Sequence, residues 1–189
     1  MATIKAGRVT FTEDASAAAF GYVKGECKWA ELLSVGLYGT YGVKLYGDDV
    51  LEMKEELEAM QKSAAKEVEE LGKKYQLADI YKEDDEGKQF LAFKLPENDF
   101  DGNPNKITFY DAAGTKTPDF DSLVGNGSTI KIKYRISPYY MASTKMVGIS
   151  FKFYAVQIIN LKEYSKGDEG FSDETSSDGA FGAEDGEDF

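Results

Sequence analysis

The stretch from Ile130 to Ile136 constrains the backbone most. Ile130, Ile132, Tyr134 and Ile136 alternate there with Lys131, Lys133 and Arg135. Successive side chains of an extended strand point to opposite faces, so the pattern predicts a strand with one face buried and three cations on the other. Pro138 is expected to end it. After a connection through Tyr139, Tyr140 and Lys145, a long final strand is predicted from about Val147 to Leu161. Ile149, Phe151, Phe153 and Ala155 would share one of its faces, and Lys152 and Tyr154 the other.

Upstream, Tyr38 to Tyr46 is rich in β-forming aromatic residues and reads as a strand. Asp48 and Asp49 suit the start of a helix, and Met53, Leu57, Met60, Ala64, Val68, Leu71 and Tyr75 recur at helical spacing. One amphipathic helix is therefore predicted over about residues 48–76. Phe90–Leu95 and Ile107–Tyr110, separated by a turn-forming stretch, are expected to form a hairpin. Strands and helices do not alternate along the chain, so a mainly β fold is expected: a small closed barrel with one inserted helix. Residues 1–166 would form this domain, and residues 167–189, poor in apolar side chains, a flexible tail.

Composition removes much of enzymology. Cys27 is the only cysteine and there is no histidine. That excludes an internal disulfide, a zinc site of nitrogen and sulfur ligands, and a Ser-His or Cys-His nucleophile. No catalytic residue, metal or cofactor is expected. Asp99-Phe-Asp101-Gly-Asn103 resembles the start of a calcium loop, but Pro104 and Tyr110 stand where glycine and glutamate belong. No apolar run approaches the roughly 20 residues of a membrane span, and the start lacks the apolar core of a signal peptide. The chain is expected to stay in the cytosol.

The net charge of −12 is unevenly spread. Nine of the 34 acids lie between Gly167 and Phe189, where there is no Lys or Arg. Residues 48–86 hold 14 acids against 6 bases, which leaves the rest of residues 1–166 with 16 bases and 11 acids, a surplus of five positive charges. From Ser128 to Lys166 seven bases accompany one acid, with Tyr134, Tyr139, Tyr140 and Tyr154 interleaved. Single-stranded nucleic acid needs cations for its phosphates and exposed rings on which bases stack. The candidate contacts are Lys131, Lys133, Arg135, Lys145, Lys152, Tyr154 and, beside Pro138, Tyr139 and Tyr140. Tyr38, Tyr41 and Tyr46 with Lys44 are candidates for extending the groove, a half-buried aromatic strand being the alternative; Tyr134 is expected in the core, and Trp29 either contacts DNA or anchors a loop on the core. The plain alternative is a solvated basic face over core tyrosines. A further alternative is an acidic DNA mimic or structural protein whose acidic surfaces bind a nucleic-acid enzyme.

The order of these features resembles the single-stranded-DNA-binding proteins of T-seven-like phages. The resemblance is carried by the turn Tyr110–Lys116, the run Gly125-Asn-Gly-Ser-Thr-Ile-Lys-Ile-Lys-Tyr134, Ser137-Pro-Tyr139, and Val147-Gly-Ile-Ser. Gly42-Val-Lys-Leu45 before the helix, and the ending Glu184-Asp-Gly-Glu-Asp-Phe189, add to it. The resemblance implies an OB-fold, a five-stranded barrel with a long helix between early strands. It further implies sequence-independent binding of single-stranded DNA, strand annealing, and dimers in the absence of DNA. It places the chain in the cytoplasm of an infected bacterial host. Tyr139 matches a base-stacking aromatic, and Lys131 and Lys133 match the basic strand in pattern. Glu184, Asp185, Glu187, Asp188 and Phe189 match a tail that contacts the phage DNA polymerase and helicase-primase.

Overall fold

The computed structural model describes residues 3–5, 8–11, 20–99 and 101–163. The tail residues Glu184, Asp185, Glu187, Asp188 and Phe189 lie outside that range. Ten strands are described: β1 (Thr3–Lys5), β2 (Arg8–Thr10), β3 (Phe20–Glu31), β4 (Thr40–Tyr46), β5 (Gln76–Leu77), β6 (Lys82–Glu83), β7 (Gln89–Pro96), β8 (Thr108–Tyr110), β9 (Ser128–Met141) and β10 (Met146–Asn160). Two helices, α1 (Asp48–Glu52) and α2 (Lys54–Glu70), lie between β4 and β7.

Antiparallel ladders join β10 to β9, β9 to β3, β3 to β4 and β4 to β7. The ends of this path, β7 and β10, approach each other without a ladder. Side chains bridge the seam, where Phe93 meets Phe151 edge to face with centroids 5.5 Å apart. Five strands thus wrap into an OB-type barrel with the helical insert between its second and third strands, as the sequence predicts. Val43, Leu45, Leu91, Phe93, Leu95, Ile130, Ile132, Ile136 and Phe153 fill the interior. Burying side chains of this kind is worth about 1.5–3 kcal/mol each, which is why their alternation sets the strand faces.

The inserted helix differs from expectation in three ways. Gly47, at φ 132°, takes the N-cap position, with Asp48 and Asp49 in the first turn where anions suit the helix dipole. The helix is interrupted at Met53, and it ends at Glu70 rather than near residue 76. Gly72 adopts φ 69° and the Lys73 N–H closes on the Val68 carbonyl at 3.2 Å, a left-handed stop that only glycine makes without strain. The chain then extends into β5, which pairs with β10. Leu57 of α2 enters the barrel core, while Ala64, Ala65 and Val68 form a second cluster with Phe11 and Val147.

Four strand expectations also need correction. Tyr38 precedes β4 and is 89% exposed. Pro138 does not end β9, because the β3 ladder stops at Arg135 and beyond it β9 pairs with β10 alone, the edge position where proline is tolerated. The stretches Phe90–Leu95 and Ile107–Tyr110 do not pair: β7 joins β4 and β6, whereas β8 runs parallel to β10. Finally, a bulge at Tyr154 shifts β10 by one residue, so that Ala155 pairs with Lys133 and turns outward while Val156 and Ile158 turn in.

Candidate nucleic-acid interface

The cationic face of β9 lies on the outside of the barrel between β3 and β10. Cross-strand registers give its neighbours: Arg135 lies opposite Phe20 and Lys152, Lys133 opposite Tyr22 and Ala155, and Lys131 opposite Lys24 and Gln157. Rings and cations therefore meet side by side. Lys131 Nζ lies 5.4 Å and Lys133 Nζ 5.9 Å from the centre of the Tyr22 ring, and the Arg135 guanidinium 5.5 Å from that of Phe20. Phe20 and Tyr22 are nonetheless 63% and 64% exposed, so their faces remain open.

Lining up Lys24 with Lys131, next to Lys133, costs electrostatic energy because like charges across a ladder repel. Among the described residues no carboxylate forms an ion pair with Lys24, Lys131, Lys133 or Arg135. Contacts between cations and exposed rings return about 0.5–1 kcal/mol each. An external polyanion would remove the rest of the repulsion.

The remaining candidates are distributed as follows. Tyr139 shares the outer parity of Lys131, Lys133 and Arg135 and lies across Gly148, where an added Cβ would come within 2.5 Å of the ring. It is half-buried in the strand, and the hairpin tip lies beyond it at Ala142–Lys145. Tyr140 has the opposite parity, packs against the second cluster and donates its hydroxyl to the Lys74 carbonyl at 3.1 Å. Lys145 is exposed at that tip with φ 55°. Lys152 borders a groove of about 390 Å3 over the β7–β10 seam, together with Lys82, Lys94 and Tyr139. Tyr154, at the bulge, is half-buried against the main core, as are Tyr134 and Tyr41. Burial raises the Tyr134 hydroxyl pKa above its ordinary value, with Glu56 adding to the effect.

Lys44 does not adjoin β9, because β3 intervenes. Its ammonium sits 4.8 Å from the Phe90 ring centre and 6.0 Å from that of Trp29. Trp29 anchors nothing on the core. It occupies an irregular part of β3 at φ 54°, is 67% exposed, and donates its backbone N–H to Asn126 Oδ1 at 2.8 Å. Lys28 and Lys44 form a second outward row across β3 and β4, partly engaged by a 3.5 Å ion pair between Lys28 and Asp84.

Sequence reasoning missed Phe20, Tyr22, Lys24, Tyr110 and Gln157. A weak signal existed in Phe20-Gly-Tyr22-Val-Lys24-Gly-Glu26, where large side chains fall on every second residue but glycines stand at two of the three positions between them. Among the described residues no cluster of His, Cys, Asp or Glu is arranged to hold a metal.

No protein-family model matches the sequence, and none of the curated proteins does. Solved structures do. The chain is similar to gp2.5, a single-stranded DNA binding protein encoded by bacteriophage T7, with 19% identity over 88% of this chain and 100% of that one and a TM-score of 0.67. It is also similar to the single-stranded DNA-binding protein from bacteriophage Enc34, with 11% identity over 88% of this chain and 92% of that one and a TM-score of 0.53. A C-terminal truncation of the Enc34 protein gives 11% identity, coverage of 86% and 95%, and a TM-score of 0.51. The chain has the fold of these phage single-stranded-DNA-binding proteins.

Proposed function

We propose that this protein binds single-stranded DNA without reading a sequence motif, as a phage replication and recombination factor rather than an enzyme. The observation that carries the reading is the outer face of β3 and β9, where exposed aromatic rings face, in register, cations that no carboxylate among the described residues pairs. Lys24, Lys131, Lys133 and Arg135 follow the phosphates. Phe20 and Tyr22 receive bases, each stacked base contributing about 1–3 kcal/mol. Tyr139 and Lys152 continue the path along the hairpin. The shared fold with phage proteins that bind single-stranded DNA supports this reading.

The acidic tail extends the proposal. With nine acids and no base beyond Gly167, it is suited to compete for the basic face until DNA displaces it, and then to recruit the polymerase and helicase-primase through its terminal Phe189. Strand annealing, a homodimer in the absence of DNA and action in the cytoplasm of the infected host belong to the same reading.

A salt titration with a labelled oligonucleotide tests it. Log affinity should fall linearly with log salt, at about −0.7 per phosphate contact. Replacing Lys131 and Lys133 together by Ala should make the slope shallower by about 1.4. Removing residues 167–189 should tighten binding. A flat salt response, or an unchanged slope in the double variant, would refute the proposed interface.

A further inference from the structure

We propose that the cleft of about 290 Å3 between Tyr22 and Tyr110 is a nucleobase subsite that favours bases bearing an exocyclic amine, with Gln157 as the reading residue. The proposal rests on the assignment of the β3–β9 face to single-stranded DNA. A preference of this kind is compositional and leaves binding independent of sequence motifs.

The cleft follows from register. The strand order β8, β10, β9, β3 sets Tyr110, Gln157, Lys131 and Lys24 in one cross-strand row, and Thr108, Ala155, Lys133 and Tyr22 in the next. The bulge at Tyr154 is what brings Ala155 outward. A methyl group therefore lies between larger neighbours and leaves a hollow, with Lys131 and Lys133 at the Tyr22 side. Its volume is at the small end of ligand sites, which suits one flat ring better than a longer stretch of chain. A base stacked on a tyrosine there would keep its phosphate near the two ammonium groups.

The Gln157 amide has a defined orientation. Its Nε2 donates to the Ala112 carbonyl at 3.2 Å, and a carbonyl can only accept. The turn carrying Ala112 is held by Asp111, whose N–H donates to the Thr115 carbonyl at 2.9 Å while its Oδ1 accepts from the Thr115 N–H at 2.8 Å. Gly114, at φ 82°, closes the same turn on the Asp111 carbonyl at 3.0 Å. Among the described residues no hydrogen bond is recorded for Gln157 Oε1, which leaves it as an acceptor on a residue that lines the cleft. Cytosine and adenine offer an amine to such an acceptor, whereas thymine and uracil present a carbonyl oxygen on the corresponding edge.

The test compares oligo-dC with oligo-dU on the full-length protein. The two share sugar and pyrimidine ring, and differ in an amine against a carbonyl at C4 and in a bare N3 against an N3–H; the C4 group alone faces the major-groove edge. Wild-type protein should favour oligo-dC by about threefold or more. Gln157→Leu should bring oligo-dC down to the oligo-dU level. Ala155→Leu, which fills the hollow, should weaken both and abolish the difference, with thermal unfolding checking that each variant is folded. Equal affinities in the wild type, or a preference that survives in the folded Gln157→Leu protein, would overturn the subsite while leaving single-strand binding intact. Failure to bind either oligonucleotide would overturn the underlying assignment as well.

Discussion

Tyr22 and Tyr139 share the outer face of the sheet, yet their surroundings give them different parts in the proposed binding. Tyr22 is 64% exposed, with the ammonium groups of Lys131 and Lys133 at 5.4 and 5.9 Å from its ring centre, so its ring contributes little to the core. Tyr139 is half-buried across the backbone of Gly148. Tyr22→Ala should therefore weaken binding by about 1–3 kcal/mol, one base stack, and leave the thermal midpoint in place. Tyr139→Ala should weaken binding and also lower the midpoint, since it uncovers a stretch of β10. Oligonucleotide titration beside a thermal melt separates the two, and an early melt of Tyr22→Ala would mean that its ring is structural. Tyr139 was visible in the sequence because it adjoins a clear strand and lies in Ser137-Pro-Tyr139, one of the stretches that carry the resemblance. Tyr22 was not, because glycines at 21 and 25 dilute the alternation around it, and its pairing with Lys133 spans more than a hundred residues.

At the scale of elements, the β9–β10 hairpin carries most of the proposed interface, and its shape depends on two departures from regular pairing. One is the bulge at Tyr154, and the other is the close approach of Tyr139 to Gly148. A methyl group at position 148 would meet the Tyr139 ring directly, so Gly148→Ala should lift the ring off the sheet. The expected result is a DNA affinity close to that of Tyr139→Ala, accompanied by a changed Tyr139 ring environment in NMR spectra. Wild-type affinity together with a displaced ring would show that Tyr139 takes no part in binding. The alternation of β9 and the apolar spacing of α2 could be read directly, because burial dictates residue type at fixed periods. A bulge adds one residue without altering composition, so the strand-long pattern read for β10 placed Ala155 on the wrong face. The parallel pairing of β8 with β10 is long-range and left no local signal, so a hairpin with the preceding strand was the natural expectation.

For the whole molecule, folding buries ionisable groups and keeps them neutral, Cys27 within the barrel core and Tyr46 and Tyr81 packed around it, and this sets its limit in alkali. Burial raises the Cys27 thiol pKa from 9.0 to about 11. Burial likewise raises the Tyr46 and Tyr81 hydroxyls from 10.0 to about 12, with the charge of Asp84 adding to the effect at Tyr46 and that of Glu58 at Tyr81. In the unfolded chain each group ionises near its ordinary value. Between the ordinary and raised values the folded protein therefore holds protons that the unfolded chain has lost, and stability falls as pH rises. Below the ordinary values both states are protonated and these groups contribute no slope. The urea midpoint should thus show no decline from these groups near neutrality and should drop once pH passes about 9. Cys27 titrates first, so Cys27→Ala should delay the onset towards the tyrosine range, above about pH 10. The basic face works in the opposite sense to these buried groups: it is crowded with like charge that bound DNA would relieve, whereas burial holds the thiol and the hydroxyls neutral. A midpoint unchanged up to about pH 11 would mean that the thiol and the two hydroxyls reach solvent and ionise without opening the barrel.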